Sequence, residues 1–376
     1  EVVAATIDAL SSGTLKDSLP IPENQLKALD SFNFEAEYEY DSKENVVEMF
    51  LKAAKQYPEN KAVVCGEESL LYSELDDISD RVATYLSSRG IGKGDVVAII
   101  VERNPYMAIA ALGVLKSGAA YQPLDFTYPA DRLQFMVQDA GAKLLIGDED
   151  LVGLGAGFSG DILLTKDISS LAKGECKVSI SPEDALCILY TSGSTGTPKG
   201  AVIEHKNIRA FVAWYHRNLG LKAGDVVAAY ASYGFDAHMM DLYSPLTTGA
   251  TMCIVPSSIR LNLDQINDYY RDNCVTHIFM TTQLARMYAT TLTPPASLRY
   301  LMLGGETLVP LDAPEGYSLM NVYGPTECTI FTTTFPLDQN NRRARIPVGK
   351  ALDNFHLYVV GTDGCRVPIG ALGELW

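Results

Sequence analysis

Residues 190–200 combine, in eleven positions, the groups that bind a polyphosphate: three glycines, five serine or threonine hydroxyls and one lysine. Glycines let the backbone approach a bulky anion closely, and successive N–H groups then form a cradle for it. The run is not a Walker A loop, because Pro198 precedes Lys199 and an apolar, strand-like run, residues 201–203, follows in place of a helix. It is therefore predicted to connect two strands and to hold phosphate. The alternative interpretation is a flexible Gly/Ser linker, which has no need of a Pro-Lys pair.

A second segment, residues 321–327, carries groups suited to a nucleotide and a metal ion. Tyr323 could stack on a nucleotide base, and Thr326 could donate a hydrogen bond to a phosphate. Glu327 is a hard oxygen ligand suited to Mg²⁺, which binds through one or two carboxylates plus phosphates. Residues 304–307, Gly-Gly-Glu-Thr, follow another predicted strand and would let the nucleotide approach the backbone. The alternative for residues 321–327 is a Gly-Pro turn with a surface glutamate.

Residues 190–200 resemble the phosphate-binding loop of the adenylate-forming enzymes, which include acyl-CoA synthetases, luciferases and the amino-acid adenylation domains of nonribosomal peptide synthetases. Five further segments are similar, in order, to core motifs of the adenylation domains, and the resemblance extends from about residue 42 to the last residue. These segments are residues 71–75, 115–125, 235–237, 321–327 and 373–375. The chain thus resembles the large N-terminal core of an adenylation domain.

The resemblance implies roles for the residues at the matching positions. The catalytic residues that it implies are Thr191, Lys199, Thr326 and Glu327, with Glu327 also the ligand of Mg²⁺. The implied nucleotide-binding residues are Thr191, Ser192, Gly193, Ser194, Thr195, Gly196, Thr197, Lys199, Gly304, Gly305, Glu306, Thr307, Asn321, Val322, Tyr323, Gly324 and Thr326. The implied substrate-binding residues are Phe235, Asp236, Ala237, Met240, Phe279, Met302, Gly304, Val322, Ile330 and Phe331.

Asp236 bears most directly on the substrate. In the matching family motif an aspartate pairs with the α-ammonium group of an amino acid, which fatty-acyl and aryl-acid substrates lack. The alternative is an ordinary helix N-cap aspartate. Beyond Asp236 the implied pocket has no charged side chain, so a polar substrate side chain would find no partner there. We therefore expect an apolar substrate, valine, isoleucine or leucine in preference to an aromatic amino acid.

His238 departs from the family pattern, since small or aliphatic residues are commoner at its position. It is expected either to touch the substrate or nucleotide, or to be a histidine satisfied within the core.

The fold implied by the resemblance is α/β, with two mostly parallel, helix-covered sheets and a smaller antiparallel, barrel-like subdomain. Alternating strand-like and helix-like segments agree with parallel sheets covered on both faces. Residues 362–364, Thr-Asp-Gly, are typical of a hairpin turn between residues 356–360 and 366–368. We interpret residues 1–41 as a lead-in from an upstream condensation-type domain and residues 42–376 as the adenylation core, without the small C-terminal subdomain.

Composition restricts the partners. The net charge is −16 without a dense basic cluster, which disfavours nucleic acid and anionic membranes. No apolar run approaches the ~20 residues that a membrane span needs. Seven widely spaced cysteines with no CxxC pair favour reduced thiols in a cytoplasmic protein over disulfides or a metal site.

These observations predict ATP-dependent activation of an amino acid as aminoacyl-AMP. The resemblance implies ATP and Mg²⁺ as cofactors, a carrier-domain phosphopantetheine thiol as acceptor of the acyl group, and an upstream condensation domain as a further partner. Two alternatives stay open: a stand-alone acyl-CoA or D-alanine-type ligase of the same superfamily, and a module that only binds its ligands.

Overall fold

Strands and helices alternate along most of the chain. The computed structural model describes residues 21–31, 38–155, 158–174, 178–192, 198–311, 315–337 and 345–376. The strands are mostly short apolar runs, as expected for sheets with both faces covered. They are β1 (Lys61–Cys65), β2 (Glu68–Leu71), β3 (Val96–Ile100), β4 (Ala120–Pro123), β5 (Leu144–Gly147), β6 (Asp161–Leu164), β7 (Ala185–Thr191), β8 (Lys199–Glu204), β9 (Val226–Ala229), β10 (Thr251–Ile254), β11 (His277–Thr281), β12 (Tyr300–Gly304), β13 (Ser318–Tyr323), β14 (Thr333–Pro336), β15 (Lys350–Ala351), β16 (Val359–Val360) and β17 (Glu374–Leu375).

The helices differ in how much of their surface is apolar. Most present one apolar face, as expected for helices that cover a sheet. One of them, Tyr106–Lys116, is apolar on all sides and almost entirely buried. The helices are α1 (Glu23–Ser31), α2 (Val46–Gln56), α3 (Tyr72–Ser88), α4 (Tyr106–Lys116), α5 (Ala130–Asp139), α6 (His205–Leu219), α7 (Ala237–Leu246), α8 (Leu263–Asp272) and α9 (Thr282–Thr291).

Two large sheets organise these elements. One has six strands in the order β6-β5-β3-β4-β7-β8, all parallel to their neighbours except the antiparallel pair β7 and β8. The other has nine strands in the order β15-β14-β13-β12-β11-β9-β10-β1-β2, with parallel pairing from β13 to β1 and antiparallel pairing at both edges. The predicted mostly parallel, helix-covered sheets are confirmed.

Helices lie between the two sheets and on their outer faces. The largest buried cluster contains residues of both sheets together with α2, α3, α4, α6 and α7. A second cluster joins α8 and α9 to the nine-stranded sheet, and a third joins α5 to the six-stranded sheet. The carboxyl ends of several parallel strands are thereby left open as places for a ligand.

The smaller antiparallel part predicted after residue 346 is present, but the described residues there do not form a closed barrel. After residue 346 the described chain forms β15, at the edge of the large sheet, and a two-stranded antiparallel sheet of β16 and β17. The predicted turn at residues 362–364 is present, with Gly364 at a φ of +76°. Beyond it the hairpin is short: Arg366 bridges Val360, the Val367 N–H donates a 3.0 Å hydrogen bond to the Val359 carbonyl, and β16 also pairs with Glu374–Leu375.

The described parts of the predicted lead-in pack on the core. The Arg217 guanidinium lies 3.4 Å from the centroid of the Tyr38 ring, and the Arg209 guanidinium lies 5.1 Å from that of Tyr40. Asp30 of α1 forms a 2.9 Å ion pair with Arg366. The division into lead-in and core at residue 41 stays a prediction.

Candidate functional site

A pocket of about 740 Å³ lies at the carboxyl ends of β11, β12 and β13. These strands are neighbours in parallel pairing, so the residues that end them, and the loops that follow, meet at one edge of the sheet. The start of α7 closes another side. Most of the predicted substrate- and nucleotide-binding residues lie in the wall of this pocket. They are Phe235, Asp236, Ala237, Phe279, Gly304, Gly305, Glu306, Thr307, Asn321, Val322, Tyr323, Gly324, Ile330 and Phe331.

Asp236 is a part-buried carboxylate in this wall. It immediately precedes α7, but its backbone is already helical and its side chain makes no cap hydrogen bond, which excludes the N-cap alternative. Its Oδ2 instead accepts a 2.6 Å hydrogen bond from Thr326 Oγ1. Burial raises the pKa of Asp236, and the Glu327 charge adds to this, while hydrogen bonds from Thr326 and the Ala237 N–H oppose it. The charged form therefore gains from a bound cation.

A tight loop between β13 and β14 holds Thr326 and Glu327 beside the pocket, where Thr326 contacts Asp236 of the pocket wall. Gly324 is required there, because a Cβ at this position would lie 2.4 Å from the Phe331 Cα. A 2.8 Å hydrogen bond from the Thr332 N–H to the Tyr323 carbonyl closes the base of this loop. A short 3₁₀ turn, Thr326–Cys328, follows the glycine. The fold thus fixes both side chains through the backbone.

The phosphate-loop strands of the other sheet reach the same place. Thr191 ends β7 and Lys199 begins β8, and the two residues are paired in register. Thr191 Oγ1 lies 3.4 Å from Glu327 Oε1, and β8 contacts the Thr326–Cys328 turn. Ser192 and Lys199 are exposed at this edge. The predicted loop residues 193–197 lie outside the described residues.

Tyr323 and Asn321 occupy different parts of the nucleotide side. The Tyr323 ring is 46% exposed and lines the pocket, so one face is free for a flat ligand. Asn321 is buried, and its Nδ2 donates a 2.8 Å hydrogen bond to the Pro347 carbonyl. It thereby holds the segment that supplies Ile346 and Val348 to the wall.

Two predicted pocket residues, Met240 and Met302, do not line the pocket. They are 0% and 1% exposed and belong to the core cluster beneath it. Both belong to the same cluster as Phe331 and Ile330, which do line the cavity. They therefore support the wall from behind without contacting the cavity.

The sequence motifs did not predict eight of the residues that line the pocket, and one of these, Arg260, is charged. Its guanidinium lies 4.9 Å from the Tyr230 ring centroid, and its buried Nε has no hydrogen-bond partner among the described residues. No motif signals it, because it lies in the connection after β10, far from the recognisable segments. The eight are Tyr230, Ala231, Ser232, Arg260, Thr281, Leu308, Ile346 and Val348.

The profile of one protein family, AMP-binding enzyme, matches residues 50–376. The chain belongs to the AMP-binding enzyme family. The family resemblance predicted from the sequence is confirmed at this level.

Known synthetases contain segments similar to this AMP-binding enzyme. Bacitracin synthase 1 of Bacillus licheniformis is 33% identical over 349 residues, which cover 92% of the chain and 6% of that protein. Tyrocidine synthase 2 of Brevibacillus parabrevis is 31% identical over 373 residues, which cover 94% of the chain and 10% of that protein. The chain therefore spans a small part of the length of these relatives.

Solved structures confirm the fold. The nonribosomal peptide synthetase FmoA3 in its AMPPNP-bound form superimposes with a TM-score of 0.87 and 26% identity, over 94% of this chain and 39% of that one. Its form bound to α-methyl-L-serine-AMP gives a TM-score of 0.89 and 25% identity, over 99% and 44% of the two chains. The resemblance to the N-terminal core of an adenylation domain is confirmed.

In the parts of this AMP-binding enzyme that the structure describes, no helix combines the length and apolarity that crossing a bilayer requires.

Proposed function

We propose that the chain activates an amino acid with ATP in the cytoplasm, as the adenylation domain of a nonribosomal peptide synthetase. A carboxylate oxygen of the amino acid forms a bond to the α-phosphorus of ATP, and the bond from that phosphorus to the pyrophosphate oxygen breaks. The products are aminoacyl-AMP and pyrophosphate. The aminoacyl group then passes to the phosphopantetheine thiol of a carrier domain, with an upstream condensation domain as a further partner.

The observation that carries this proposal is the 2.6 Å hydrogen bond from Thr326 to Asp236, which lines the pocket. It brings a part-buried carboxylate next to a hydroxyl of the predicted phosphate-contacting turn. A zwitterion with its ammonium group on Asp236 would have its own carboxylate directed towards Thr326 and the α-phosphate. Such alignment of two anionic reactants supplies much of the rate enhancement in a reaction of this class.

The remaining charges suit a magnesium nucleotide. The Glu327 carboxylate lies 3.4 Å from the Thr191 hydroxyl at the end of β7. This fits Mg²⁺, which takes one or two protein carboxylates and completes its shell with phosphate oxygens and water. Glu327 would hold the ion, which would neutralise phosphate charge. Lys199 would approach the phosphates from β8, and Tyr323 would cover the adenine.

The substrate side chain that fits the wall near Asp236 is apolar. Ala237, Phe279, Val322 and Ile330 line the cavity with hydrocarbon, and a polar side chain placed among them would lose its hydrogen bonds to water. Valine, isoleucine and leucine suit this surface. The Arg260 guanidinium faces the same cavity, and an acidic amino acid that paired with it would contradict the apolar assignment.

Thermal shift with the intact chain tests the proposal. Each of the twenty amino acids, D-alanine and hexanoate is added with ATP and Mg²⁺. A ligand present at a hundred times its Kd stabilises the folded state by about 2.7 kcal/mol. We expect a rise in Tm with ATP, and a further rise with branched aliphatic amino acids. Asp236→Asn should abolish the second rise, because losing one partner of a buried charge pair costs about 3–5 kcal/mol.

Glu306→Gln is the matched control, since Glu306 is another carboxylate in the wall but has no expected contact with the amine. It should retain the amino-acid-dependent rise. Stabilisation by hexanoate or D-alanine alone would favour the stand-alone ligase. Stabilisation by acidic amino acids alone would overturn the apolar pocket, and equal behaviour of wild type and Asp236→Asn would overturn the role of Asp236.

A further inference from the structure

His238, the second residue of α7, has both ring nitrogens engaged in the core. It is 2% exposed and does not line the pocket, which excludes contact with the substrate or nucleotide there. Its Nδ1 lies 2.6 Å from the Phe235 carbonyl oxygen, and its Nε2 lies 2.7 Å from the Tyr121 hydroxyl. A carbonyl can only accept, so Nδ1 carries the proton and Nε2 accepts from Tyr121. Burial lowers the pKa of His238 to about 4, so the ring is neutral near pH 7.

These hydrogen bonds connect the six-stranded sheet, through Tyr121, to the residue before Asp236. Tyr121 lies on β4 and is completely buried. The imidazole also packs edge-on against Tyr121 and Tyr233, with ring centroids 5.8 and 4.9 Å away. The ring therefore has one position and one tautomer. It donates to a carbonyl that belongs to the peptide group joining Phe235 to Asp236.

The orientation of that peptide group sets the direction in which the Asp236 side chain leaves the backbone. A side-chain hydrogen bond from the N-cap residue commonly fixes the start of a helix, but Asp236 makes no such bond. Phe235 cannot anchor the segment by burial either, since its side chain is 60% exposed. The backbone N–H of His238 donates a 3.1 Å hydrogen bond to the Phe235 carbonyl, and the imidazole adds a side-chain hydrogen bond to the same oxygen.

We propose that His238 is a positioning residue for Asp236: it fixes the 235–236 peptide so that the carboxylate faces Thr326 and the pocket. The inference rests on the proposed role of Asp236 as the site of the amino-acid ammonium group. A displacement of the order of 1 Å at such a site can cost about a hundredfold in activity, so a buried positioning contact has a measurable effect.

Two variants separate positioning from packing. His238→Asn keeps an amide donor near the Nδ1 position for the Phe235 carbonyl but gives up the contact with Tyr121. His238→Gln keeps an acceptor near Tyr121 but gives up the donor to the carbonyl. The Kd of each of the twenty amino acids and of ATP is measured by calorimetry on the intact chain, with Tm recorded in parallel.

We expect His238→Gln to weaken the binding of the preferred amino acid by about tenfold or more and His238→Asn by about threefold or less, with the Kd of ATP unchanged in both. The matched control is His216→Asn, which removes another buried histidine–carbonyl bond to the same helix, from His216 to Ser244 at 2.8 Å. It should lower Tm without changing the Kd of the amino acid. If His238→Gln does not fold, Tyr121→Phe removes the hydrogen bond to Nε2, and with it one of the two contacts that hold the ring, with almost no change in volume. It should weaken amino-acid binding about threefold and leave ATP binding unchanged.

Equal amino-acid affinity in the Asn and Gln variants, with Asp236→Asn impaired, would overturn the inference and leave the proposed function standing. An amino-acid Kd that follows Tm across all variants, His216→Asn included, would also overturn it. Unimpaired binding by Asp236→Asn would overturn the proposed function, and the inference with it.

Discussion

At the scale of single residues, the Asp236 carboxylate occupies a position that disfavours its own charge. Burial and the nearby Glu327 raise the pKa of Asp236, and a single hydroxyl and one N–H compensate only partly. An aspartate kept for folding alone would be better solvated or better paired. The ammonium group of a bound ligand would compensate the buried charge of Asp236. The ligand would therefore bind more tightly than it would to a carboxylate that is already well solvated or paired.

This raised pKa gives amino-acid affinity a defined pH dependence. Only the carboxylate form attracts the ammonium group, so binding should weaken as the pH falls through the raised pKa, which lies above the ordinary value of 3.8. Stability should change in the opposite direction. The folded state holds the proton more tightly than the unfolded state, so this group's contribution to stability falls as the pH rises through the same interval.

Calorimetric titration of the preferred amino acid from pH 8 down to the ordinary value of 3.8, with acetate and phosphate buffers overlapped, measures the effect, because the raised pKa lies within this range. Glu306→Gln should follow the wild-type profile. An affinity that stays constant down to the lowest pH would mean that Asp236 does not carry the interaction.

The sequence motifs placed residues in the pocket wall correctly where these residues lie at the end of a strand or the start of a helix. Asp236, Gly304 and Val322 lie in the wall, because strand ends and helix starts are fixed by the fold. The same approach was wrong for Met240 and Met302, which are covered by neighbours. Spacing along a chain does not reveal which of two adjacent side chains reaches the cavity. Arg260 was missed because only the folded sheet brings the connection after β10 to this edge.

At the scale of elements, strand–helix alternation predicted the central strands, since a doubly covered strand is an apolar run of limited length. The Thr-Asp-Gly turn predicted the contact of β16 with residues 366–367, but the second partner of β16, Glu374–Leu375, could not be predicted. A Thr-Asp-Gly turn indicates that the chain reverses, but two-residue strands are too short for alternation to show which following segment pairs. Glu374–Leu375 carries no stronger strand pattern than residues 366–368, and tertiary packing decides the pairing.

The contact between α3 and α4 depends on a missing side chain. A Cβ added at Gly113 of α4 would lie 2.4 Å from the Val82 Cβ and 3.1 Å from the Ser79 carbonyl oxygen. Val82 and Ser79 are completely buried on α3, so neither can move into solvent. Glycine in a helix interior normally costs about 1 kcal/mol relative to alanine, and here the close approach of two helices offsets that cost.

We predict that Gly113→Ala lowers the free energy of unfolding by about 1–3 kcal/mol, because overpacking outweighs the gain in helix propensity. Urea denaturation measures the change. Val82→Ala alone should also destabilise, through a cavity, but the double variant should be more stable than the sum of the two effects indicates. Gly153→Ala, where an added Cβ meets no atom within 4 Å, is the control. Strict additivity in the double variant would contradict this account of the helix contact.

At the scale of the whole molecule, the site is assembled from both sheets. Thr191 lies at the end of β7 in the six-stranded sheet, and Glu327 lies in the loop after β13 of the nine-stranded sheet. The 3.4 Å approach of their oxygens places a hydroxyl and a carboxylate where a magnesium nucleotide would contact both. A bound nucleotide should therefore link the two sheets, and the link should depend on the metal ion.

The magnesium dependence of ATP affinity tests this arrangement. Without a cation, Glu327 and the phosphates repel each other; with Mg²⁺, the same carboxylate becomes a ligand. In wild type, Mg²⁺ should therefore tighten ATP binding strongly, and Glu327→Gln should reduce the ratio of the Kd values without and with Mg²⁺ by about tenfold. Part of this reduction should come from tighter binding of metal-free ATP by the variant, since the repulsion has gone. Thr191→Ala should weaken ATP binding in both conditions and leave the ratio nearly constant. An unchanged ratio in Glu327→Gln would show that the metal ion sits elsewhere and that the two sheets do not meet through it.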